Sequence, residues 1–303
     1  MTRTAAGATT GVAPPVRRGG AGCAPGADVR RGPLALWSSL VLAVGITTAS
    51  AYGLSAPDAY RDLPDATVLG ARAQDVCSVA VAGLLVLLVR RPVLSPRGHL
   101  VRLGLLAYVA YSYAIYLTGV PMNRVFLVYV AIELAAGAAL LDGLARLRGA
   151  AWTRVSRPLE RGTGWTLVGV AVLFALLWLS TLAPYALGGA APDPEGVGGT
   201  AYPVFVLDLV VVLPCIAAVG ALLLRGRRIG GPLAVVALIK VITLFTALWA
   251  GVGAALVTGE PVHLGPDAAP SVLLLVASAW LVARWLRELH ADRRRFLRPR
   301  LWE

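Results

Sequence analysis

The run VVALIKVITL, Val235–Leu244, holds the only lysine of the chain, and every other strongly basic residue is an arginine. An ammonium inside an apolar segment is expensive unless other groups neutralise it, so Lys240 is expected to face a bundle interior. Three acids could answer it. Glu133 stands midway along the apolar run Val125–Leu141, Asp208 lies under two helical turns before Pro214, and Asp75 sits near one end of the run Leu69–Val89. One lysine cannot neutralise three carboxylates. The surplus must be met by a proton, by water, by Arg72 or Arg124, or by a bound cation. A carboxylate that takes up and releases a proton or cation within a helical bundle is what coupled transport requires, whereas a neutral, hydrogen-bonded acid can simply hold a fold together. The function classes therefore rank as permease or transporter, then structural or assembly membrane protein, then membrane enzyme acting on a lipid-linked substrate.

Around these charges the neighbouring residues favour helix contacts. Glu133 has Tyr129 one turn before it and Ala136 and Gly137 one turn after, while Thr243, Ala247, Gly251 and Ala254 follow Lys240 at helical spacing. Pro214 deprives the carbonyl of Val210 of its usual donor, leaving a loosened helix beside Asp208. At about 1.5 Å of rise per residue, Glu133 and Lys240 fall within roughly 6 Å of the same depth, and Asp208 roughly 9 Å from the lysine. Depth thus makes Glu133 the first expected partner and Asp208 the second. Four tyrosines, Tyr108, Tyr111, Tyr113 and Tyr116, share one helix; Tyr108 and Tyr111 point to one side, Tyr113 and Tyr116 to another. Tyr116 fits an aromatic belt at the outer interface. Tyr111 and Tyr113 lie deeper and are expected to hydrogen-bond across helices, as packing groups or as contacts to a ligand. The candidate binding or coupling residues are Glu133, Lys240, Asp208, Asp75, Tyr111 and Tyr113.

Motifs for enzymatic chemistry are missing. His99, His263 and His290 are expected in loops or the tail, without HExxH or a helical histidine pair, which argues against a metal site. No GxSxG serine stands near a membrane-embedded histidine. Asp75 and Asp208 lack the flanking glycines that would admit a peptide backbone, and no acid precedes Lys240 by one turn as a Schiff-base counter-ion. The reading leans away from an enzyme and implies neither catalytic residues nor a cofactor.

The elements that must position these groups follow from hydropathy. A mean hydropathy of +0.73 with 57% hydrophobic residues exceeds what a soluble chain of 303 residues can cover with polar surface. Eight apolar runs are long enough to cross the bilayer: Leu34–Leu54, Leu69–Val89, Leu103–Thr118, Val125–Leu141, Trp165–Leu187, Tyr202–Leu224, Pro232–Val257 and Ala269–Leu286. The fold class is all-α and polytopic, a bundle of about eight transmembrane helices. Charges interrupt the second run at Arg72 and Asp75 and the last at Arg284, near helix ends where arginine snorkels and aspartate meets headgroup water.

The net charge of +12 is explained by position. Arginines crowd the N-terminal tail, the segments between runs two and three, four and five, and six and seven, and the C-terminal tail. The alternate loops hold only Arg61, Arg72 and Arg124 beside Asp58, Asp62, Asp65, Asp193, Glu195, Glu260 and Asp267. This is the positive-inside pattern, with both termini cytoplasmic, and it leaves no basic surface to assign to nucleic acid. The expected partners are the lipid bilayer and a small molecule or ion. Residues 1–33 read as a disordered basic tail, 34–287 as the bundle, and 288–303 as a second basic tail. No cleavable signal peptide is visible. Cys23 lies in the tail, and Cys77 and Cys215 read as packing residues. Thr118–Arg124 makes a tight turn with Asn123 capping the fourth helix, and Gly188–Ala201 is a flexible linker between halves. Runs two and six each begin with an Asp and end in an arginine hairpin, VRRP and RGRR, as a parallel repeat of four plus four helices would.

Two stretches are also similar to known sequences. Gln74 to Val130, with QDVCSVAVAGLLVLLVRRP and LGLLAYVAYSYAIYLTGVPMNRVFLVYV, and Val206 to Lys240, VLDLVVVLPCIAAVGALLLRGRRIGGPLAVVALIK, resemble a group of bacterial multi-span proteins described only as hypothetical membrane proteins. The resemblance implies a multi-pass protein of the bacterial plasma (inner) membrane and transfers no catalytic residue.

Overall fold

The computed structural model describes residues 33–90, 95–148, 152–153, 155–190, 201–260, 262 and 268–289. The expected tails, Cys23, most of the Gly188–Ala201 linker, His263 and His290 lie outside them. Most of the described residues are helical, and they form eight helices, each long and apolar enough to cross a membrane. They are α1 (Pro33–Ser55), α2 (Asp65–Arg90), α3 (Pro96–Gly119), α4 (Phe126–Arg148), α5 (Arg157–Ala186), α6, α7 (Gly230–Thr258) and α8 (Ala268–Glu288). Helix α6 is built of three consecutive pieces, Ala201–Leu207, a π-helical turn at Asp208–Val212, and Leu213–Leu224.

Several helices outrun their apolar cores. α3 starts at Pro96 instead of Leu103, α4 runs on to Arg148 instead of Leu141, and α5 starts at Arg157 instead of Trp165. Hydropathy locates the hydrocarbon, but a helix ends where its backbone is capped. Ser95 accepts a 3.0 Å hydrogen bond from the Gly98 N–H, with Pro96 opening α3. Arg146 holds Asp142 through two bonds of 2.9 and 3.0 Å on the last turns of α4, and Arg157 pairs with Glu160 at 3.2 Å on the first turn of α5. Asn123 does not cap α4 as expected, because Val125 holds the position before Phe126; its Oδ1 accepts from the Val125 N–H at 3.1 Å and closes the turn that leads into the helix.

Helices α3 and α7 are the most buried and pack against each other. At Gly104 a side chain would collide with Ile239 and the Val236 carbonyl, so the absence of one sets how closely these two helices approach. In the first half α1 packs on α2 and α4, and α3 packs on α4 and α2. In the second, α5 packs on α6, α6 on α7, and α7 on α8, while the Trp285 indole donates to Thr163 Oγ1 at 2.9 Å to join α8 to α5. Across the halves α7 packs on α2, and the first piece of α6 packs on α3. Exchanging each helix for the one four places later maps most of these contacts onto one another. The exception is α1 with α4, a broad contact whose counterpart is the Trp285–Thr163 link.

Candidate functional site

Two separate polar clusters lie inside the bundle, each organised around an aspartate. The first joins α3, α5, α6 and α7. Asp208 opens the π-turn, where the Leu213 N–H bonds to the Asp208 carbonyl, a span of five residues instead of four. Pro214 follows directly. A proline ring in a regular helix would clash with the carbonyl four residues earlier, and widening the preceding turn relieves that crowding. The loosened helix anticipated from Pro214 is thus a π-turn with Asp208 at its start, 7% exposed. The Trp178 indole donates to Asp208 Oδ2 at 2.9 Å, and the Tyr111 hydroxyl also engages Asp208. Phe174 and Phe205 pack around Trp178 with ring centroids at 6.5 and 5.0 Å.

Lys240 completes this cluster. Its Nζ lies 3.8 Å from the centroid of the Tyr111 ring, and the residue is 6% exposed. Among the described residues no carboxylate oxygen comes within 4.0 Å of it, and Asp208 is the acid whose charge acts on it. A desolvated cation–π contact contributes about 2 kcal/mol, less than the several kcal/mol that burying an ammonium costs. The ring alone does not neutralise the lysine.

Glu133 does not meet Lys240, which corrects the pairing expected first. α4 packs on α1 and α3, and the half-buried Glu133 side chain has one oxygen, Oε2, shielded and without a hydrogen-bond partner. Depth matched the two residues, but α3 packs against both of their helices and separates them. Asp208, the second choice, is the acid that the fold places beside the lysine.

The second cluster joins α1, α2 and α3 with the α1–α2 loop. Asp75 is 1% exposed, so it does not meet headgroup water as expected. Tyr60, from the loop, donates to its Oδ2 at 2.5 Å, and Tyr116 bonds to its Oδ1 at 3.4 Å and to the Ala71 carbonyl at 3.2 Å. Tyr116 therefore faces the interior and does not belong to an interfacial belt. The rings of Tyr113 and Tyr129 pack on it at 5.4 Å each, extending the cage to α4. At Gly53 a Cβ would run into Asp75 and the Tyr60 hydroxyl, so glycine lets α1 close this side of the cage. Burial first, and then the neighbouring Asp75, push the Tyr60 phenol far above its ordinary pKa; it stays a hydrogen-bond donor at physiological pH. Asn123 ties the loop down, donating to the Ala59 carbonyl at 3.1 Å and bonding to the Tyr129 hydroxyl at 3.2 Å.

Other interior polar groups were not singled out by sequence. Gln74 donates to Tyr108 at 2.6 Å and to Ser112 at 2.7 Å, pinning α2 to α3. His99, expected in a loop, is buried in the first turn of α3 with Nε2 3.1 Å from the Gly143 carbonyl. Arg102 is buried beside Ser38, its Nη2 donating at 3.3 Å. The Ser95-Pro96 pair was the available signal that α3 begins early enough to include both. Trp178 carried a signal too: a tryptophan in mid-span, away from either interface, needs a partner for its N–H. Tyr60 carried none, because nothing in a loop sequence says that it folds back over a helix. Among the described residues no group of three or more His, Cys, Asp or Glu side chains could hold a metal ion.

An apolar groove of about 370 Å³ between α4 and α7 is lined by Leu141, Leu144, Ala145, Arg148, Ile229 and Leu233, at the arginine-rich end and apart from both clusters. Compared with known families, curated proteins and solved structures, the chain matches none.

Proposed function

We propose that this integral membrane protein is a permease whose transport site is the Tyr111–Lys240–Asp208–Trp178 cluster. One observation carries the reading: a buried ammonium rests on an aromatic ring, without a carboxylate in contact, beside an acid on a π-turn. Such a lysine can accept a small molecule bearing a carboxylate or another anionic group, which would supply the neutralisation that the ring does not. Asp208 then acts as the counter-charge when that molecule is absent. The π-turn supports the reading because it leaves the α6 backbone less regularly bonded at the site, and such turns recur at functional sites. In the orientation that goes with this proposal, the arginine-rich end and both termini face the cytoplasm of a bacterial cell.

The test is thermal unfolding of the purified protein in detergent, screened against small organic carboxylates and inorganic anions. Binding raises Tm. At least one anion class is expected to raise the Tm of wild type and to lose that effect in Lys240→Met. Equal responses from the two proteins across the whole screen would sink the proposal. A scaffold reading is favoured by the groove between α4 and α7, which does not reach Lys240. It expects no anion-specific shift in either protein.

A further inference from the structure

We infer that the groove between α4 and α7 holds one anionic phospholipid, with its phosphate on Arg148 and an acyl chain along the leucines below. The groove exists because α3 packs on both helices while α4 and α7 do not pack closely on each other. Five of its lining residues are apolar, Leu141, Leu144, Ala145, Ile229 and Leu233, and the sixth is Arg148. At about 370 Å³ it falls at the small end of ligand sites, roughly 300–1,000 Å³, but it lacks the converging polar groups by which such sites orient a soluble metabolite. Its occupant must be apolar over most of its length and charged at one end.

Depth fixes which end is which. Counting about 30 Å of hydrocarbon from Val125, at about 1.5 Å per residue, puts its far edge near Ala145. Leu141 and Leu144 then lie within the hydrocarbon, and Arg148 stands about one turn beyond it, at headgroup level. α7 begins at that same level, with Ile229 just before the helix and Leu233 one turn into it. Charge then selects the headgroup. Arg148 is exposed, and among the described residues no carboxylate oxygen comes within 4.0 Å of it, whereas Arg146 is held by Asp142. Arg227 and Arg228, directly before Ile229, are exposed and likewise have no described carboxylate within 4.0 Å. Basic pockets between transmembrane helices hold anionic headgroups, and a phosphate accepts two parallel N–H groups from one guanidinium. A zwitterionic lipid would bring a second ammonium into this arginine-rich space. A partner transmembrane helix would lay an apolar surface across an unpaired guanidinium. An anionic phospholipid satisfies both ends of the groove.

This site is distinct from the Lys240 cluster and stands or falls independently of the permease reading. The full-length protein in detergent would be titrated with phosphatidylglycerol or phosphatidylcholine of identical acyl chains, and the retained lipid counted by native mass spectrometry. One phosphatidylglycerol is expected to stay bound at concentrations where phosphatidylcholine does not. Arg148→Gln should lower its apparent affinity about fivefold, the weight of one basic residue at an anionic membrane surface. Ala145→Trp, which sends an indole into the groove, should remove the preferred site. Both positions are exposed, so neither change should lower Tm in the absence of lipid. Arg287→Gln, an equal change of charge at the end of α8 and outside the groove, should leave binding unchanged. Lys240→Met should leave it unchanged too, which separates failure here from failure of the anion site. Equal retention of the two lipids would overturn the inference. So would a phosphatidylglycerol preference that survives both Arg148→Gln and Ala145→Trp, or inorganic phosphate that displaces the lipid, which would mean an anion site without a chain. A wild-type dimer that Ala145→Trp dissociates would overturn it as well, by placing a second copy in the groove.

Discussion

Asp75 and Asp208 occupy corresponding helices in the two halves of the chain, and the protein treats them differently. Asp75 is enclosed by phenols and a serine, sealed by a loop, and kept apart from every described cation. Asp208 has an indole donor, a tyrosine and a nearby ammonium, and it stands where the helix itself departs from regular geometry. The surroundings differ in mechanical character as well. The Asp75 cage is closed by close packing at Gly53 and by stacked rings from α3 and α4, whereas the Asp208 cluster is spread over four helices that include α5, the least buried of all. A deep acid in a membrane protein is therefore not one kind of object. Its role depends on whether the fold brings it a cation or only neutral donors.

The largest effect expected from breaking this contrast is at Asp208. Asp208→Asn should strand Lys240 in low dielectric and destabilise the protein by on the order of 3 kcal/mol. Adding Lys240→Met should restore part of that loss, giving a non-additive cycle in detergent unfolding, while Glu133→Gln with Lys240→Met should add within about 0.5 kcal/mol. If the Glu133 cycle couples and the Asp208 cycle does not, the assignment of partners is reversed. Next in size is Gly53→Ala, which drives a methyl into the Asp75 cage and should cost about 1–3 kcal/mol, measured in the same way. Its effect should be additive with Lys240→Met, because the clusters are separate.

A smaller effect is expected for Asn123→Ala. Removing the loop's hydrogen bonds should cost about 1 kcal/mol and raise the hydrogen-exchange rate of residues 56–64 while α7 stays protected. Uniform exchange over the molecule would show that the loop is not held locally. The smallest is Glu133→Gln alone. Its shielded oxygen has no partner to lose, so a change within about 0.5 kcal/mol in either direction is expected, and a large destabilisation would reveal an interaction at α4.

The eight spans were legible because crossing a membrane requires only length and apolarity, both of which can be read one residue at a time. The interior was legible in part, for a reason that Glu133 makes plain. Rise per residue gives depth, but which way a helix faces its neighbours depends on packing that a single apolar sequence does not encode. Tyr116 and Asp75 misled in the same way: both lie near a helix end, where an interfacial role is the default, and both instead face inward, bonded to each other beneath a loop that folds back. Pro214 was informative because its chemistry acts on its own backbone, whatever its neighbours. The early start of α3, and with it the burial of His99 and Arg102, was written in Ser95 and Pro96, a capping signal masked by the search for apolar runs.

Lys240, the sole lysine among 303 residues, also makes the Tyr111 contact spectroscopically addressable. Growth on isotopically enriched lysine labels a single side chain, so its magnetic resonance needs no assignment. With Nζ over the ring at 3.8 Å from its centroid, the ε-methylene protons one bond away are expected to feel the ring current of Tyr111. Their resonance should lie upfield of free lysine and return toward it in Tyr111→Leu, giving a direct readout of any ligand or conformational change that lifts the ammonium from the ring.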